Sequence, residues 1–330
     1  MQKSTMQFQI PVQDRSYWEI IVNPPLTARE TWIKGMFPKV NNFNELQILV
    51  ESGIIGNGNT AGFSVPITNA LEVLAPFHER ALIKNLNNGL VSPESKALVD
   101  STVLIEPESL GLQSGRGFEH HVKRMRALST TAEFPKDLNN SFIRQTTDPR
   151  KQKAPELDRD KYNKAWERFF SSDRERVKLT ESILTFSKRA GSTIPINISV
   201  PIHPEHPSSL DMAGQLARET LSVAESLQVR KIATIAMSNP ALRRRKIVKG
   251  VVNDVMSEGK FGNPEFVYFE IEDCDVNGDT EIFRNMKYLV NEMFLPLKEK
   301  NIGVIVPGCH MALGVALSAC GVLATSTHIG

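Results

Sequence analysis

Two glutamates, Glu270 and Glu272, close the apolar run Phe266-Val267-Tyr268-Phe269-Glu270-Ile271. In a strand, alternation sets them on one face with Tyr268, opposite Val267, Phe269 and Ile271. Their Cα atoms would then lie roughly 7 Å apart at the strand rise. Two carboxylates so placed can divide acid and base roles if their surroundings push their proton affinities apart. They can equally ligate a hard divalent cation, which makes a divalent metal the one cofactor to consider. The competing reading is that lysines or arginines neutralise both. His203 opens the turn His203-Pro204-Glu205-His206-Pro207, and His328 ends the alternating run Ala324, Ser326, His328. An imidazole just past a strand can serve as a general base or a metal ligand. Two prolines also make the first of these a rigid surface turn. Glu270, Glu272, His203 and His328 are the catalytic candidates.

A second group suits an anion. Ser238-Asn239-Pro240 precedes the run Arg243-Arg244-Arg245-Lys246 at the start of a helical pattern. Helix-terminal amides and arginine forks both favour phosphate, although a charge run is more often a solvated stripe. Pro307-Gly308-Cys309-His310 opens another helix, where Gly308 permits close backbone approach. Cys309 there can have a depressed pKa, while a small buried cysteine is the commoner fate. Asn197 and Ser199 alternate with Ile196, Ile198 and Val200, which sets them on a polar face. The substrate-binding candidates are thus Asn197, Ser199, Ser238, Asn239, Arg243, Arg244, Arg245, Gly308, Cys309 and His310. Asp273 to Asp279 superficially suggests a calcium loop but lacks a glutamate at the twelfth position.

These residues need elements to hold them. Residues 166–330 read as five strands, near 195–202, 231–237, 266–271, 302–306 and 322–327, separated by four helices. One more helix, near 160–189, precedes them. Such alternation means parallel strands with helices packed outside. The expected fold is α/β, a (β/α)8-type barrel with an irregular N-terminal part, and the alternative is an open doubly wound sheet. Strands covered on both faces should be apolar throughout. Polar residues on one face instead suggest a wet cavity at the strand C-termini, where barrel active sites lie. No glycine-rich nucleotide motif follows any strand. Residues 1–130 read as the N-terminal part of the barrel. Within them are a strand at Tyr17–Val22, a helix capped by Asn42 with Glu45 three residues on, a strand at Ser101–Ile105 ending at Glu106-Pro107, and a helix through His120, Val122 and Met125. Residues 131–165 read as a charged loop or linker. A barrel ordinarily adds a helix after its last strand, so the N-terminal region, a partner, or further chain must cover Val322–Thr327.

With 39 basic and 37 acidic residues the net charge is +2, so any anion site must be local. Three cysteines without a CxxC pair argue for a reducing compartment. The N-terminus has no apolar stretch of the secretory kind, and the expected location is the cytoplasm. Over 195–240 the succession of strand–helix units resembles the tRNA-guanine transglycosylase barrels. The Asp-Ser-Gly-Gly-Phe signature of that family is absent, as are its Gln-Gly-Gly after the strand ending at Ile202 and its zinc-ligand cysteines. The resemblance is one of layout, and it implies nucleobase exchange as a further alternative. The first expectation is a lyase, transferase or hydrolase acting on a small anionic, phosphorylated substrate by acid–base or metal-assisted chemistry. The second is a non-catalytic barrel subunit contacting nucleic acid or a protein, and homo-oligomers are compatible with either. No membrane association is expected.

Overall fold

The computed structural model describes residues 35–55, 62–70, 72–74, 102–113, 143–144, 156–192, 194–257, 259–272, 279–308 and 311–328. The expected strand at Tyr17–Val22, the helix through His120, and residues Cys274, Cys309 and His310 lie outside these.

The chain is an α/β protein built on one all-parallel sheet. Its strands are β1 (Gly35–Lys39), β2 (Gly62–Pro66), β3 (Thr102–Glu106), β6 (Ile232–Met237), β7 (Phe266–Ile271), β8 (Gly303–Val306) and β9 (Ala324–His328). They lie side by side in the order β3-β2-β1-β9-β8-β7-β6. The first and last strands in sequence are therefore neighbours, paired from Gly35 with Ala324 to Lys39 with His328. A separate antiparallel ribbon joins β4 (Ile143–Arg144) to β5 (Glu156–Leu157), inside the stretch expected to be a linker. It is followed by α2 (Arg159–Phe170), capped by Asp158, at the start of the helix expected near 160.

The sheet is curled. Between its edges β3 and β6 runs the extended segment 194–202, bridged in parallel to β3 at Leu104–Ile194 and to β6 at Ile202–Met237. Ile202 N donates to Ala236 O and Ser238 N donates to Ile202 O. Between these bridges the segment is not a regular ladder strand. Pro195 and Pro201 have no N–H to give. The amide of Ile198 donates to the Asn197 side chain and that of Ser199 to Ser109 Oγ. A small apolar cluster gathers Phe37, Leu104, Ile194, Ile196, Ile232, Phe266, Tyr268, Ile305 and Ala324. Residues from both edge strands thus meet in one inner core. The larger core lies on the other face, where Ala233, Ile235, Val267, Phe269, Val304 and Val306 pack under the helices.

Those helices are α1 (Phe43–Glu51), α2, α3 (Asp173–Arg189), α4 (Ser209–Ser226), α5 (Asn239–Leu242), α6 (Arg245–Met256), α7 (Thr280–Leu289), α8 (Leu295–Glu299) and α9 (Met311–Ala319). Asn42 caps α1 by accepting from Glu45 N, while Glu45 accepts from Asn41 N and from the Asn42 amide. The single helix expected near 160–189 is two, because Ser172 starts a new one by accepting from Glu175 N. Just ahead of Pro296 a π-helical turn at Val290–Phe294 joins α7 to α8, as a missing N–H would favour. Arg176 ties α3 to α4, its fully buried guanidinium donating to both oxygens of Glu219. Among the described residues no helix is long and apolar enough to cross a membrane.

Two features fix the sheet locally. A Cβ at Gly62 would come within 1.8 Å of Thr102 O, so β2 can approach β3 only with glycine there. Asn197 faces the helices, away from the polar side where alternation had placed it. Its amide donates to Thr180 Oγ1 on α3 (3.0 Å) and Thr220 Oγ1 on α4 (2.8 Å). Asn197→Ala removes both bonds and the one from Ile198 N. It is expected to lower the unfolding free energy by about 2–3 kcal/mol, read from urea denaturation. An unchanged urea midpoint would mean that Asn197 does not hold the segment to its helices.

Candidate active site

The C-terminal ends of β1, β2, β3, β7 and β9 bring together a cluster of polar and charged side chains. Lys39, the last residue of β1, donates to Glu106 Oε2 at 3.0 Å and to Glu108 Oε1 at 3.1 Å. Glu106 is the last residue of β3 and is buried. It also accepts from Ser326 Oγ on β9, and Ser326 Oγ in turn accepts from Gly308 N at 2.9 Å. Glu108 accepts from Thr68 Oγ1 at 3.2 Å, beyond the end of β2. Burial opposes the charge on Lys39, but the carboxylates of Glu106 and Glu108 outweigh it and hold the ammonium above the ordinary lysine value. Burial likewise opposes the Glu106 carboxylate, and Lys39 and Ser326 outweigh it, so its pKa is lowered. Both groups stay ionised at neutral pH.

Across the mouth stands Glu270, on the inward face of β7 with Tyr268. The chain after β3 turns sharply at Glu108, whose φ is +51°, a left-handed conformation uncommon outside glycine. It then enters a 3₁₀ turn, Ser109–Gln113, which packs against β6 and β7. The first two amides of that turn meet one carboxylate: Ser109 N donates to Glu270 Oε2 and Leu110 N to Oε1, both at 2.9 Å. Burial is the larger influence and pushes Glu270 up to about 7. The Leu110 amide pulls it down, Glu108 pushes it further up, and Ser109 pulls it down again. A proton on either oxygen makes that oxygen a weaker acceptor, so the charge state of Glu270 bears directly on its bonds from the two amides of the turn.

The sequence candidates divide accordingly. Glu270 is in the cluster. Glu272, expected as its partner, instead accepts from Asn239 N at 2.7 Å, at the start of α5. Ser238 caps α5 and donates to Ile202 O. Ser199 joins the site through its backbone, donating to Ser109 Oγ. Gly308 contributes its N–H to Ser326. Arg243 is tied to Asp279, which caps α7. Arg245 donates to Asn285 Oδ1 and lies over the Tyr288 ring. Arg244 is exposed. Arg243 closes α5, Arg244 sits in extended backbone before α6, and Arg245 opens α6, so the three guanidinium groups have separate surroundings. His203 is half-buried on the rim, and His328 is placed by its backbone in register with Lys39. Among the described residues no group of three or more histidines, cysteines, aspartates or glutamates is placed to hold a metal ion. Lys39, Glu106, Glu108, Thr68 and Ser326 were missed. Glu106 could have been found, because it ends an expected strand on the same face as Thr102 and Leu104.

The fold and these residues define an α/β protein with polar chemistry at the C-terminal ends of a curled parallel sheet. No family model matches the chain, and no curated protein or solved structure matches it either.

Glu270 sets a pH dependence. Its folded pKa of about 7 lies above its ordinary value of 4.5. The stability its proton contributes is therefore complete below about pH 4.5 and is lost as pH rises through about 7, an effect on the order of 3 kcal/mol. Glu270→Gln does not titrate. The stability of the parent relative to this variant is expected to fall between pH 5 and pH 8 in denaturation series. A constant difference across that range would contradict the raised pKa.

Proposed function

We propose that the chain is an enzyme on a closed (β/α)8 barrel that works by general acid–base chemistry at the mouth, with segment 194–202 as the fourth of eight strands. Closure is supported by the order of the strands, each beside its neighbours in sequence, with β9 beside β1. It is supported also by the two bridges of the segment and by the inner core shared between β3 and β6. Catalytic groups of such barrels sit at the strand C-termini.

The observation that carries the functional reading is the contrast between Glu106 and Glu270. Both are buried in one mouth, one held ionised by lysine and hydroxyl partners, the other held near neutrality by burial. Carboxyl groups pushed apart in this way are suited to opposite roles. Glu270 is the group that accepts and returns a proton near pH 7, where such transfer is most effective. Glu106 and Lys39 supply a fixed pair of charges against which a substrate can be oriented and a developing charge stabilised. The reaction class is a proton-transfer step of a lyase, transferase or hydrolase on a small anionic substrate. The cytoplasm is the proposed location.

The test is conversion of a panel of small phosphorylated and carboxylated metabolites, followed by mass spectrometry, with parent and Glu270→Gln compared. Any substrate turned over by the parent is expected to lose about 100- to 10,000-fold in kcat in the variant, with the pH profile of the parent showing a limb near 7. Equal turnover by the two proteins would remove Glu270 from the chemistry.

A further inference from the structure

Helices α5, α6 and α7 carry a concentration of charge that the mouth does not use. Residues 239–253 hold five basic side chains and no acidic one, and residues 279–289 add two of each sign. The surplus of five exceeds the +2 of the whole chain, so the remainder of the protein is net negative. α7 is bound against the joint between α5 and α6. Arg243 Nε is 2.5 Å from Asp279 Oδ2, and Asn285 Nδ2 donates to Leu242 O at 2.6 Å. Arg245 donates to Asn285 Oδ1 at 3.2 Å, and its guanidinium lies 3.4 Å from the centre of the Tyr288 ring. The charges therefore share one surface.

Within this surface the carboxylates are taken. Asp279 holds Arg243 and caps α7, and Glu281 accepts from Arg284 at 3.0 Å. Four cations are left over. Arg244, Lys246, Lys249 and Lys287 are exposed, and among the described residues no hydrogen-bond or ion-pair partner meets their side chains. Cations at the start of α6 stand against the helix dipole and repel one another, so the helix gains nothing from them. Lys246 and Lys249 are neighbours about 5–6 Å apart at Cβ, while Lys287 lies on the next helix. Spread over two helices, the four do not close on one small anion. They match an extended chain that presents a charge every few ångströms, as a nucleic-acid backbone does. Phe283 decides between polyanions. It stands one turn from Asp279, is 57% exposed, and is the large exposed hydrophobic of α5–α7 among the described residues. A lipid surface needs an apolar face of several such groups. One ring among cations suits stacking on a base, and the free fork of Arg244 suits phosphate.

We propose that the outer surface of α5–α7 is a docking site for the backbone of a single nucleic-acid strand, held by Arg244, Lys246, Lys249 and Lys287. This surface is separate from the acid–base groups of the mouth and does not rest on them. α5 follows β6 and α7 follows β7, so both begin at the end of the sheet where Glu270 lies. Glu272 fixes α5 there by accepting from Asn239 N. A strand bound along the surface runs past the rim of the mouth.

The experiment is fluorescence anisotropy of a labelled single-stranded oligonucleotide titrated with the full chain at stepped salt concentrations. The parent is expected to bind, with a slope of log affinity against log salt of about −3, as four phosphate contacts require. Lys246→Gln combined with Lys249→Gln is expected to weaken binding about 50-fold at low salt and to bring the slope to about −1.5, with a melting temperature close to that of the parent. Lys298→Gln combined with Lys300→Gln removes the same charge before β8, at the other end of the sheet, and is expected to bind as the parent does. Glu270→Gln is also expected to bind as the parent does, so the chemistry of the mouth can fail while the surface stands. The proposal is overturned if the parent does not bind the oligonucleotide, if the Lys246 and Lys249 double variant binds it equally well, or if the two double variants are weakened alike, which would make net charge the cause. A poly-glutamate peptide bound as tightly as the oligonucleotide would also overturn it, in favour of an acidic protein partner.

Discussion

The mouth of this sheet depends on one buried ammonium. Glu106 is buried at the end of β3, and without a cation beside it burial would favour its neutral form. Lys39 supplies that cation from β1, two strands away. The pairing fixes more than charge. It pins the left-handed turn at Glu108, and that turn in turn points the amides of Ser109 and Leu110 at Glu270. The environment of Glu270 is thus set by a lysine it does not touch, through three consecutive residues of one loop.

The architecture of the C-terminal half was legible because its strands are apolar runs bounded by turn residues. Ile232–Met237, Phe266–Ile271 and Gly303–Val306 fall within a residue or so of where the pattern sets them. Alternation also set Tyr268, Glu270 and Ser326 on the inner face correctly, since a ladder strand obeys a period of two. It failed at Asn197 because segment 194–202 is not a ladder strand: its two prolines and its side-chain-to-backbone bonds break the period. Strands β1 and β2 were not legible at all. Gly-Met-Phe-Pro-Lys and Gly-Phe-Ser-Val-Pro have poor strand propensity, and they are strands because β9 and β3 pair with them from far along the chain. Lys39 could not be singled out for the same reason, as its meaning lies entirely in its register.

The polar features of the mouth fall into two zones of opposite character. The inner zone is carboxylate-rich, shielded and built from strand ends. The rim is more open, with His203 half-buried before α4 and Arg244 exposed before α6. The helices behind the rim are joined by bonds that leave little slack, among them Arg176 to Glu219 and Asn197 to both α3 and α4.

The contact of β2 with β3 has a bearing on descent. At position 62 there is no space for even a methyl group, because the backbone of Thr102 occupies it. Surface and loop positions can drift freely while this one cannot, and compensation would require moving a whole strand. Chains that share an ancestor with this one, however far their other residues have wandered, should still carry a bare backbone at that point, opposite the start of the strand that ends in Glu106.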